Sequence, residues 1–160
     1  MTVINTSPAI HLHAVLPGGL ASLAKLIGEV IVPWEVGQEL AAGHAKDATW
    51  QEIQALPGIQ HRSHGIAVHP LLAAQIDMGQ AAVIQTALDE AHDAVILDDL
   101  KARRIAQTLG LQVTGTLGIL LQAKQSGLLQ SLNTAIAALE KRGMWIAPAL
   151  VAKAIRLAGE

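Results

Sequence analysis

"VILDDLKARRIAQTLGLQVTGTLG", Val95–Gly118, reads as strand, helix, strand and the opening of a second helix. Val95-Ile96-Leu97 is an uninterrupted apolar run, as expected of a strand buried on both faces. Asp99–Leu109 has helical spacing and stops at Gly110, and Gln112–Thr114 is a second short strand. Two strands joined through a helix are parallel neighbours in one sheet. The same rhythm spreads in both directions, with strands at Val3–Asn5, Val30–Val32 and Ala94–Leu97 and a minor one at Ile66–Val68. Between them fall helices at Ser7–Val15, Leu20–Ile27, from Pro33, at Asp47–Leu56, Pro70–Ile76, Gly79–Ala91, Thr116–Ser126, Ser131–Lys141 and Pro148–Leu157. The class is α/β with a mainly parallel sheet, and 160 residues suit one domain, 1–160.

Composition narrows the partners. The chain is 51% hydrophobic, yet Phe and Tyr are absent, so Ala, Leu, Ile and Val must fill the core beside three tryptophans. No cysteine is present, which rules out disulfides, thiolate nucleophiles and cysteine-based metal centres and fits a reducing cytoplasm. No stretch reaches the ~18 apolar residues of a membrane span, so the expectation is a soluble, cytoplasmic protein with no membrane partner. A net charge of −2 gives no global attraction to nucleic acid, so a polyanion must meet local cations.

Each strand runs into a polar stretch: Asn5-Thr6-Ser7, Pro33-Trp34-Glu35, Asp98-Asp99 and Gly115-Thr116. Open α/β sheets bind ligands outside those carboxyl ends, where helix N-termini point. An aspartate there caps a helix well, but one is enough for that. Two adjacent carboxylates repel unless protons or cations intervene, and Mg²⁺ takes one or two carboxylates together with waters and phosphates. Such an ion activates water and stabilises charge in phosphodiester cleavage. Lys101, Arg103 and Arg104 come within the next two helical turns as candidate phosphate contacts, or as ordinary solvated cations.

"VINTSPAI", "VIVPWEVGQEL", "DMGQAAVIQTAL", "VILDDLKARRIAQTLGLQVTGTLGILLQAKQSGLL" and the closing "LAGE" together resemble the PIN-domain superfamily. The resemblance is to a branch of prokaryotic nucleic-acid-binding proteins linked to toxin–antitoxin pairs. It runs in order from residue 3 to the C-terminus and is weakest over Gly43–Ser63. It implies a three-layer α/β/α sandwich with a short parallel sheet. It also implies a Mg²⁺- or Mn²⁺-dependent endoribonuclease acting on single-stranded RNA, with an antitoxin protein as partner.

Carried over by position, the family's acidic sites fall on Asn5, Glu39, Gln80 and Asp98 or Asp99. The resemblance makes Asp98, Asp99 and Glu39 the principal metal ligands, with Asn5 and Gln80 as neutral auxiliaries. Thr6, Ser7 and Thr116 resemble the hydroxyl residues that support the ligands or the scissile phosphate. Two of four sites are amides, which can ligate Mg²⁺ but bring no charge. A catalytically silent PIN fold that binds RNA or protein is therefore the alternative.

Other features point less far. His11 and His13 diverge if the first helix is helical, and His61 and His64 have no clear third ligand, so zinc is not expected. Gly115 and Gly118 fit no phosphate-loop pattern and are expected to relieve crowding where strand meets helix. Trp34, Trp50 and Trp145 could stack bases if exposed but are expected to be buried, and Ile136, Leu139, Leu150, Ala154 and Leu157 form either core or the face of a homodimer.

Overall fold

The computed structural model describes residues 1–43 and 49–160. Their elements run β1 (Thr2–Ile4), α1 (Thr6–Val15), α2 (Gly19–Ile27), β2 (Val30–Val32), α3 (Trp34–Gly43), α4 (Thr49–Gln54) and β3 (Ile59–His61). They continue with α5 (Pro70–Ala73), α6 (Met78–Asp89), β4 (Ala94–Ile96), α7 (Leu100–Thr108), β5 (Gln112–Thr114), α8 (Thr116–Gln125), α9 (Leu132–Lys141) and α10 (Pro148–Ala158). The strands form one sheet in the order β3-β2-β1-β4-β5. Every pairing is parallel, with Thr2 beside Val30 and Ala94, and Ala94 beside Gln112.

The central strands are apolar throughout because both faces are covered. Val3, Ile4, Val30, Ile31, Val32, Val95 and Ile96 have no exposed surface. Helix α6 packs against β1 and β4, while α2 covers β2 and β3. Helices α1, α8, α9 and α10 pack on one another. The result is the expected α/β fold with helices flanking a short parallel sheet.

Three expectations need correction. The fifth strand is Ile59–His61, not Ile66–Val68. As the edge strand it turns only Ile59 into the core, so it lacks the apolar run that marks the others. Residues 66–68 stay outside the sheet, and the Ile66 amide donates instead to the Glu35 side chain at 3.0 Å. The Asp47–Leu56 helix is found as Thr49–Gln54, and Asp47 lies outside the described residues. Trp34 and Trp145 are not buried: they are 38% and 80% exposed, while Trp50 packs edge-on against His61. Small aliphatic residues close this core without them.

The C-terminal helices divide. Ile136, Leu139 and Ala154 are core, whereas Leu150 and Leu157 face outward. Among the described residues no single helix is long and apolar enough to cross a membrane.

Candidate functional site

Because all five strands run the same way, their carboxyl ends share one edge of the sheet. The register fixes which loops meet there. The Asn5 amide donates to the Ile96 carbonyl at 3.2 Å, and the Leu97 amide donates to the Thr114 carbonyl at 3.0 Å. Asn5 thus stands beside Leu97, and the segment entering Asp98 lies beside Gly115.

Asp98 is held from the neighbouring loop. Its two carboxylate oxygens accept from the Thr116 amide at 2.7 Å and from the Thr116 hydroxyl at 2.6 Å. Thr116 is fully buried as the first residue of α8. Gly115 makes this approach possible: a Cβ there would lie 2.8 Å from Asp98 Oδ1 and 2.7 Å from Arg103 Nη1. Its backbone is extended, so the requirement is space and not a special φ. Gly118 is likewise small because a Cβ would crowd the Thr114 hydroxyl at 2.6 Å.

Asp99 does something different. Its side chain accepts from the Ala102 amide at 2.8 Å and caps α7. The adjacent aspartates therefore divide into one carboxylate bound across the sheet edge and one helix cap.

Asn5 is 8% exposed, and its Oδ1 is buried without a hydrogen-bond partner. A buried carbonyl oxygen left without a donor is costly unless water or a cation meets it. Next along the chain, the Thr6 hydroxyl donates to the Glu39 carboxylate, reaching from α1 to α3. The same carboxylate lies against Gly79 in the first turn of α6, where a Cβ would sit 2.9 Å from the Glu39 carboxyl carbon. Gln80 comes next, half-buried, with its amide donating to the Asp77 cap at 2.8 Å. Residues 6, 39 and 79 thus form one contacting group, with Asn5 next to Thr6 along the chain, and residues 98, 103, 115 and 116 form a second on the adjoining strand ends.

The cations fare differently. Arg103 Nη1 donates to the Leu97 carbonyl at 2.8 Å, so this guanidinium braces the end of β4. Lys101 and Arg104 are exposed. Ser7, expected from the resemblance, and His11, read in the sequence only as a poor metal ligand, belong to the neighbourhood. The Ser7 hydroxyl and His11 Nδ1 are 3.3 Å apart on α1. Burial holds the His11 pKa below its ordinary value; the Asp98 carboxylate opposes that shift and the Arg142 guanidinium adds to it.

A family model described as PIN domain matches residues 1–160. The chain belongs to the PIN-domain family. No individual curated protein and no solved structure matches it. PIN domains are generally nucleases, and an α/β fold with an all-parallel sheet agrees with membership.

Within this PIN fold the donor set suits a hard divalent ion in kind but is sparse in charge. Asn5 Oδ1 is an acceptor that nothing in the protein satisfies, and Asp98 retains unused lone pairs beyond its two bonds to Thr116. Oxygen donors of this type fit Mg²⁺ or Mn²⁺. Among the described residues, no three His, Asp or Glu side chains converge as a metal cluster. The residues fit a cation that completes its shell with water and phosphate oxygens.

Proposed function

We propose that this PIN-like domain, spanning 1–160, is a metal-dependent endoribonuclease and the toxin half of a toxin–antitoxin pair. Its substrate is single-stranded RNA, and its cofactor is Mg²⁺ or Mn²⁺. The observation that carries the reading is the unpartnered, buried Asn5 Oδ1 beside the strand end that presents Asp98. Asp98, Asn5 and Glu39 would hold the ion, with Gln80 at the margin. Asp99 is the cap of α7 and stands outside this set. When bound, the ion activates water and offsets charge on the phosphoryl group.

The chain's own residues do the rest. Thr116 fixes both Asp98 oxygens so that the carboxylate cannot rotate away from the crevice. Thr6 holds Glu39 toward the β1 end, and the bare backbone at Gly79 leaves room for it. Ser7 and His11 form a polar wall on α1 that a phosphate oxygen can meet.

The second reading, a silent PIN fold that binds RNA or protein without cutting, is favoured by one fact. Asn5 and Gln80 leave the site with few acids, and no three-ligand cluster forms among the described residues. Incubation of single-stranded RNA with Mn²⁺ and either the wild type or Asp98→Asn separates the two. Cutting that the substitution abolishes supports the nuclease; RNA binding with no cutting in the wild type supports the silent fold.

A further inference from the structure

We propose that Trp145 and Arg142 form a binding platform for single-stranded RNA at which a base stacks on the indole while the guanidinium holds the neighbouring phosphate. The inference rests on the nuclease reading for its substrate, but it concerns a surface that the acidic site does not include.

The first observation is exposure. This chain has only three aromatic residues of the Phe, Trp and Tyr class, and one of them, Trp145, is 80% exposed. It lies between the buried Leu139 and Ile146, so the segment is anchored while the ring is presented. An indole so placed is a surface on which any base can stack.

The second is charge. Lys141 ends α9 and Arg142 caps it, and neither has an ion-pair partner among the described residues. A cation at a helix C-terminus is favourable to the dipole, which accounts for one of them. It does not account for an adjacent exposed tryptophan.

The third is continuity with the site. Arg142 caps α9, and on the helix it packs against, α1, the Ser7 hydroxyl and His11 Nδ1 lie 3.3 Å apart. Helix α9 packs against α1, the helix that begins at Asn5. Trp145 lies three residues beyond Arg142, a chain distance of at most about 10 Å. A path therefore runs from Asp98, over Ser7 and His11, to Arg142 and Trp145. A single strand whose phosphate occupies the crevice continues along it, whereas a duplex keeps its bases stacked and cannot use the indole.

The test measures binding of a short fluorescein-labelled single-stranded RNA to the full chain in EDTA, where cleavage plays no part. Trp145→Ala is expected to weaken binding about tenfold, with Trp145→Phe restoring most of it. Arg142→Gln is expected to lower the salt dependence by about one phosphate contact. Binding of a duplex RNA is expected to change little with Trp145→Ala. Unchanged single-strand affinity in Trp145→Ala would overturn the proposal. So would an equal loss on duplex, or a shift to a smaller oligomer in sedimentation, which would make Trp145 a contact between copies. A wild type that binds in this way but never cuts would reject the nuclease and leave the platform standing.

Discussion

Asp98 and Thr116 are joined twice, amide to Oδ1 and hydroxyl to Oδ2, although eighteen residues separate them in sequence. This pairing ties "LDD" to "GTLG": Asp98 of the first accepts both hydrogen bonds from Thr116 of the second. Thr116→Val keeps the shape and the amide but removes the hydroxyl, leaving Asp98 Oδ2 without its donor. A loss of about 1–2 kcal/mol in urea unfolding is expected, with a marked fall in Mn²⁺-dependent cleavage. Thr116→Ser should recover both. Equal stability and activity in the valine variant would show that the second bond holds nothing.

Gly79 tests the other half of the site. Alanine there meets the Glu39 carboxylate, the mobile end of a side chain, so the helix loses little. The intrinsic preference for Ala over Gly in a helix, up to about 1 kcal/mol, works in its favour. Gly79→Ala should therefore leave the melting temperature nearly unchanged while lowering cleavage toward the level of Glu39→Gln. Gly115→Ala is the contrast. Its Cβ meets Asp98, Arg103 and the Leu97 carbonyl, one of them backbone, and it should lower stability and cleavage together.

The legibility of the fold came from burial. Strands covered on both faces are all apolar, so β1, β2 and β4 stood out in the sequence, and Gly and Pro marked where helices stop. The edge strand β3 did not, because Gln60 and His61 carry no apolar signal. Asp98 was legible as part of an acidic pair at a strand end, but adjacency in sequence could not say which carboxylate crosses to β5 and which caps α7. Glu39 was recognisable only by resemblance, since its partners Thr6 and Gly79 come from distant segments. Arg142 had no motif at all, and Trp145, weighed in the sequence as a base-stacking ring but expected to be buried, stands out only once folding shows how exposed it is.

Acid should act on the C-terminal contact of this chain. The Glu160 carboxylate accepts from the Leu132 amide at 2.8 Å and the Asn133 amide at 3.1 Å, and the Ser131 hydroxyl also donates to it. Lys124 lies 3.0 Å away. The Leu132 bond first, then Asn133 and Lys124, lower its pKa from 4.5 to about 2. A carboxyl group depressed in the folded state stabilises above its unfolded pKa, and that contribution is lost as pH falls through the folded value. Glu160→Gln removes the titration. Melting temperature should thus fall more steeply from pH 4.5 to 2 in the wild type than in Glu160→Gln, and parallel curves would exclude the contact as the cause. Glu90, lowered to about 2 chiefly by Arg62, adds a slope in the same window that both proteins share.

Arg103 and Lys101 should part company although they sit two residues apart on α7. Arg103 donates to the Leu97 carbonyl and packs beside Gly115, so its charge is committed to the end of β4. Removing it leaves that carbonyl short of a charged donor, a cost of about 1–2 kcal/mol. Lys101 is exposed on the first turn of α7 and has no ion-pair partner among the described residues. If it meets substrate, it does so as a point charge on a phosphate, and its loss should flatten the salt dependence of RNA binding without touching the fold. Arg103→Gln should therefore lower the urea midpoint, while Lys101→Gln should leave the midpoint in place and reduce the slope of log affinity against log salt by somewhat less than one. A changed salt slope in Arg103→Gln with full stability would mean that the guanidinium serves the substrate and not the strand.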